Sequence, residues 1–178
     1  MKKTPTTARW LVAPLFLLLF GSCKPESSYP VDVDGWAPVY VSNEENTINA
    51  TDARTTEHGG KIYVKGPTLY QVEAGKGIHV IDISDPNNAK KIKFINCVGA
   101  QELSIKDNYL YTNNINDLVV LDISDISNVK VANRKTGSLH MVDATAPPGT
   151  GYFECPEASK GVVIGWEQKN IKNPKCRK

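Results

Sequence analysis

The chain has 178 residues, with 21 Lys+Arg, 19 Asp+Glu and four cysteines, a length for one domain and hardly two. Lys2, Lys3 and Arg9 are the only charges before Lys24; without them 18 basic residues face 19 acidic ones, a net charge of about −1. No cationic surplus then remains to neutralise phosphates, which excludes a basic nucleic-acid binder, and 40% apolar with 22% charged residues excludes wholesale disorder.

The chain opens with a positive segment followed by an eleven-residue apolar run, Trp10 to Phe20, interrupted by Pro14. As a helix that run spans about 16 Å, roughly half a bilayer core, which fits a signal-peptide core better than a transmembrane span. Gly21-Ser22-Cys23 follows at once. This ending resembles the lipobox of bacterial lipoproteins, with Phe20 where Leu is commonest. The resemblance implies that the Cys23 thiol is acylated, becomes the mature N-terminus and anchors the chain to a membrane. An ordinary secretory signal with a chance Cys23 is the alternative. Lys24 rather than Asp follows the cysteine, which in such lipoproteins points to the outer membrane over the inner one, facing periplasm or cell surface. The stretch from Lys24 to Asp34 is rich in Pro, Ser and charge and reads as a tether. The expected organisation is a signal peptide at 1–22, a tether at 23–34, a β-repeat domain at 35–140, and a hairpin and irregular tail at 141–178.

Pro38 to Val41 reads as a lone strand, and the polar stretch from Ser42 to Gly60 as a long loop. A repeat then begins. Gly77 to Phe94 reads GIHVIDISDPNNAKKIKF and Asp117 to Arg134 reads DLVVLDISDISNVKVANR. At an offset of 40 they share seven of eighteen residues, Asp82/Asp122, Ser84/Ser124 and Asp85/Asp125 among them. Upstream, Ile62-Tyr63-Val64-Lys65 and Leu69-Tyr70 match Leu103-Ser104-Ile105-Lys106 and Leu110-Tyr111 at an offset of 41.

Each unit holds four short β-branched or aromatic runs divided by turn residues, which is strand grammar. The third run, Ile78–Ile83 or Leu118–Ile123, is almost wholly apolar, as for a strand covered on both faces. Asp85-Pro86-Asn87-Asn88 has the composition of a type I turn. The fourth run (Lys90–Ile95; Lys130–Asn133) alternates and reads as an edge strand. Four antiparallel strands in about forty residues is the anatomy of a propeller blade. The strings HVIDISDP and LVVLDISD resemble the LVIVD repeat of bacterial surface and secreted proteins, which implies β-propeller-like blades. The resemblance covers roughly Gly59 to Lys135 and implies a fold more than a function.

The expected class is therefore all-β: an incomplete propeller-like array of two full blades and a degenerate third hairpin, made of Tyr152-Phe153 and Val162-Val163-Ile164. So short an array leaves sheet edges that must be capped, paired between copies or offered to a partner.

Candidate chemistry is sparse. Cys155 and Cys176 flank the tail and are the disulfide candidates, closing a loop of 22 residues; Cys97 lies in an apolar stretch and reads as a buried thiol. No ligand spacing supports zinc on these thiols with His58, His79 or His140. Asp82, Ser84, Asp85, Asp122, Ser124 and Asp125 suggest calcium by oxygen count, but turn capping explains them more simply. No nucleophile motif, phosphate loop or cofactor motif is found; Gly137-Ser138-Leu139-His140 is a local coincidence. Trp36 and Trp166 are the aromatics that could face a ligand, against a plain packing role. The expected function is a membrane-anchored, non-catalytic module for protein or glycan interaction at the cell envelope, without cofactor or metal. Its alternatives are a structural protein self-associating through sheet edges, and an enzyme or enzyme remnant.

Overall fold

The computed structural model describes residues 30–178. In chain order the strands are β1 (Asp32–Val41), β2 (Asn49–Thr51), β3 (Gly59–Lys65), β4 (Thr68–Glu73), β5 (Gly77–Asp82), β6 (Lys90–Asn96), β7 (Leu103–Lys106), β8 (Tyr109–Asn114), β9 (Asp117–Asp122), β10 (Lys130–Lys135), β11 (Tyr152–Phe153), β12 (Val162–Lys172) and β13 (Cys176–Arg177). Among the described residues the only helix is the 3-10 turn Ala158–Lys160, and no helix is long and apolar enough to cross a membrane. Cys23 and the segment read as a signal lie outside the described residues.

The first repeat folds as an antiparallel meander, β3 to β6, and the second as β7 to β10. The β3–β4 turn needs a left-handed residue, supplied by Gly66 at φ 57°; its counterpart in the second blade is Asp107 at φ 52°. Glycine takes that conformation without strain, and Asp is among the few other residues that visit it readily.

Register fixes which side chains share a face. In the first blade Tyr70, Val72, Ile78, Val80 and Ile95 form the front face. Val64, Leu69, His79, Ile81 and Phe94 form the back face. The core is made by the front of the first blade against the back of the second: Tyr70, Val72, Ile78, Val80 and Ile95 pack with Ile105, Leu110, Val119 and Leu121. β3 and β7 run side by side, where Tyr63 Oη donates to the Ile105 carbonyl at 2.8 Å. The two units are thus stacked front to back, as neighbouring blades of a propeller are.

Four features differ from the sequence expectation. The lone strand at Pro38–Val41 extends back to Asp32, so residues 32–34, read as the end of a tether, lie in β1. Its partner is β12, eleven residues long, which runs from Val162–Ile164, read as a hairpin strand, on into the segment read as an irregular tail. The two pair from Asp32↔Lys172 to Val41↔Val162, burying Ala37, Val41, Val163 and Ile171. The expected third hairpin is not formed. β11 pairs in parallel with β1 through Trp36↔Phe153 and antiparallel with β13, giving a sheet ordered β12-β1-β11-β13. The long β1 offers β12 a full-length ladder, whereas two-residue β11 offers almost none. Finally, the stretch read as a loop from Ser42 to Gly60 contains β2. This strand covers the outer edge of β6, because Ile48 and Ala50 pack on the core, so β6 is not an edge. β10 remains one, with every residue exposed.

Candidate functional site

The third sheet is joined to the blades by asparagines. Asn96 Nδ2 donates to the carbonyls of Glu45 (2.9 Å) and Thr47 (2.8 Å), tying the β1–β2 loop to the first blade. Asn116 Oδ1 accepts from the backbone of Met141 and Val142, each at 2.9 Å. Trp166 Nε1 then donates to the Asp143 carbonyl at 2.8 Å. The ring of Trp166 also meets Phe153 edge-on at 5.6 Å. Trp166 thus spends its donor and one ring edge on the fold, although it still borders a shallow depression with Met141, Ala146 and Pro148.

Trp36 is placed differently. It sits in β1 opposite Gln168 of β12 and lines a cleft of about 340 Å³ with Asp34, Gly35, Thr150, Gln168 and Lys169. Gly149 lies against one side of the indole: a Cβ there would come within 2.7 Å of Trp36 Cζ2. The cleft combines an aromatic ring with a carboxylate, an amide and a hydroxyl, while the Lys169 ammonium is paired with Glu167 at 3.1 Å. That set suits a sugar or a polar peptide, which needs an apolar face to stack on and hydrogen-bond partners around its edge.

The rest of the tail braces this sheet. Cys155 and Cys176 form a disulfide with Cα atoms 5.4 Å apart and a sequence separation of 21. A loop of that size corresponds to about 3 kcal/mol in the chain-entropy account. Lys178 Nζ donates to the Pro147 carbonyl at 2.6 Å, and the Arg177 guanidinium lies 5.2 Å over the Tyr152 ring. Cys97 is fully buried, and burial pushes its thiol up to about 12.

The repeated acids serve turns. Asp82 Oδ1 accepts from Ser84 N and Asp122 Oδ1 from Ser124 N, both at 2.9 Å. Asp85 Oδ1 accepts from Asn87 N at 3.0 Å and Asp125 Oδ1 from Ser127 N at 2.9 Å. The bonds from Ser84 and Ser124 hold the Asp82 and Asp122 carboxyls below the usual carboxylate range. Among the described residues no three His, Cys, Asp or Glu side chains gather as a metal site.

One cluster escaped the sequence reading. Glu73 and His79, on adjacent strands of the first blade, are 1% and 0% exposed, with His79 Nε2 2.9 Å from Glu73 Oε2. Residues 54–58 close over them. The Glu57 and His58 N–H groups donate to the Glu73 carboxylate, Arg54 lies 3.4 Å from the centre of the Phe94 ring, and Phe94 meets His79 edge-on at 4.9 Å. Burial alone would raise the Glu73 carboxyl, but the hydrogen bonds from His79, His58 and Glu57 outweigh it and hold the group at about 2. His79 Nδ1 has no hydrogen-bond partner. The sequence did hold a signal: His79 and Glu73 break the repeat, where the second blade has Val119 and Asn114.

No curated protein and no solved structure matches the chain. Two stretches, residues 58–90 and 99–134, match the LVIVD repeat, one in each blade, so the chain carries two LVIVD repeats in tandem.

Proposed function

We propose that the chain is a lipid-anchored protein of the bacterial cell envelope whose β domain, two repeat blades and a third sheet, binds a protein or glycan partner without catalysis, through the third sheet. The anchoring half rests on Gly21-Ser22-Cys23 placed directly after the apolar run. The binding half rests on one observation above others, the Trp36 cleft with its ring of polar side chains. The Glu73–His79 pair, the one buried acid–base couple described, is enclosed by residues 54–58, which supports a structural role for it. An intact mass of the protein recovered from membranes tests the first half: acyl mass on a chain beginning at Cys23 is expected, and an unmodified cysteine overturns it. Titration of the full chain with cell-wall glycan fragments, followed through tryptophan fluorescence, tests the second. Saturable binding at least tenfold weaker in Trp36→Ala is expected, and binding indifferent to that substitution removes the cleft from the account. A second reading, self-association, is favoured by the outer faces of the two blades.

A further inference from the structure

The front-to-back stacking of the blades has a geometric remainder. The first blade uses its front face and the second its back face to make the core. The second blade's own front face, Tyr111, Asn113, Leu118 and Val120, corresponds in register to Tyr70, Val72, Ile78 and Val80. The first blade's own back face, with Val64, Leu69 and Ile81, corresponds to Ile105, Leu110 and Leu121. The array therefore ends in a front with no blade on it, where Leu118 is exposed and Asn113 is buried, and at its other end in a back that residues 54–58 cover only at the Glu73 side. The exposures record it: Val64 is 52% exposed where Ile105 is 6%, and Leu118 is 38% exposed where Ile78 is 0%.

We propose that these two faces are halves of one interface and that copies of the chain associate head to tail, the second blade of one copy seating its front on the back of the first blade of the next. The occupant is a second copy because each chain carries both halves, and the contact between its own blades already shows how they fit. The faces also match in relief. On that back, residues 54–58 form a ridge over the Glu73 end of the blade. On that front, a groove of about 310 Å³ opens at the corresponding end, lined by Leu103, Tyr111, Asn113, Leu118, Leu139 and Met141. Edge pairing through β10, the outer strand of the second blade, is the poorer route. β10 carries Lys130, Arg134 and Lys135 and a register shift between Val131 and Asn133, devices that block edge-to-edge pairing. A contact joining two different faces is heterologous, so it closes a ring or continues as a filament.

Sedimentation velocity and native mass spectrometry on the full-length chain in mild detergent test the proposal. The wild-type chain is expected to associate as its concentration rises. Val64→Lys and Leu118→Lys, both at exposed positions, should each weaken association at least tenfold while keeping the wild-type circular dichroism. An equal mixture of the two variants should form dimers and nothing larger, because each supplies the face the other lacks; the double variant should pair with neither. A wild-type chain that stays monomeric overturns the proposal. So does association unaffected by either lysine, which marks pairing through edges, or one single variant that dimerises by itself, which marks a contact between like faces, or a mixture that gives no heterodimer. Glycan binding at Trp36 is read separately and stands or falls on its own.

Discussion

On its back face the first blade buries Glu73 and His79, where the second blade places Asn114 and Val119. The strands and register are the same; the neighbours are not. The back of the second blade lies inside the array against another blade, and there Val119 completes an apolar core. The back of the first blade ends the array, and its chemistry has diverged under a chain segment that no second copy of the repeat possesses. A repeat thus specifies the sheet, while position in the array decides which side chains each face will tolerate.

The comparison breaks hardest at Leu110 and Leu69, which occupy the same place in the two units. Leu110 is fully buried between the blades, and Leu69 only half-buried on the free face. Leu110→Ala is expected to cost about 3 kcal/mol, because it removes packed methyl groups and leaves a cavity. Leu69→Ala is expected to cost less than about 1 kcal/mol, since it removes a side chain that water already reaches. Urea midpoints of the two variants measure the gap. Equal losses would mean that the free back face is covered in solution, as it would be in the proposed head-to-tail assembly, so the pair is best compared below and above the association concentration.

A second effect separates the blades by pH. Hydrogen bonds hold the folded Glu73 carboxyl at about 2 against an ordinary value of 4.5. The unfolded chain then binds the proton more readily, so this group's stabilisation is complete above about pH 4.5 and is lost as pH falls towards about 2. Urea midpoints measured through that window should fall with acid for the wild type and fall less steeply for Glu73→Gln. The second blade has Asn114 at this place and adds no such slope. A wild-type curve parallel to that of Glu73→Gln would show that the buried carboxylate does not drive the acid sensitivity.

How much of this was legible depends on the sequence distance of the contacts. Asp82, Ser84 and Asp85 act within two or three residues of themselves, so their pattern alone marks the strand end and turn in both units. The apolar run of β5 likewise announces a strand covered on both faces, whereas the similar run of β9 is covered on its back alone, with Leu118 38% exposed on its front because no further blade follows. The β1–β12 ladder pairs residues more than a hundred positions apart, from Val41↔Val162 to Asp32↔Lys172. Half of β12 is exposed and polar, with Ile171 its one buried residue beyond Trp166, so no local pattern revealed it. Glu73 and His79 were hidden for another reason: their partners are backbone N–H groups of a segment that looks like plain loop. Trp36 and Trp166 look alike in the sequence, and only Gly149 and the Asp143 carbonyl set them apart.

The smallest expected effect is one the blades should share. Ser84 N reaches Asp82 Oδ1, and Ser124 N reaches Asp122 Oδ1, at the same 2.9 Å. Both bonds close inside a local turn, so neither depends on which face the blade turns to its neighbour. Asp82→Ala and Asp122→Ala should therefore lower the melting temperature slightly and to the same extent, while Asp→Asn, which keeps an acceptor oxygen, should restore most of the loss. If these acids instead held calcium, added calcium would raise the melting temperature of the wild type and not of the alanine variants. Scanning calorimetry with and without the ion separates the two cases. An unequal pair of losses would show that the turns, the most closely repeated feature of the chain, also feel their place in the array.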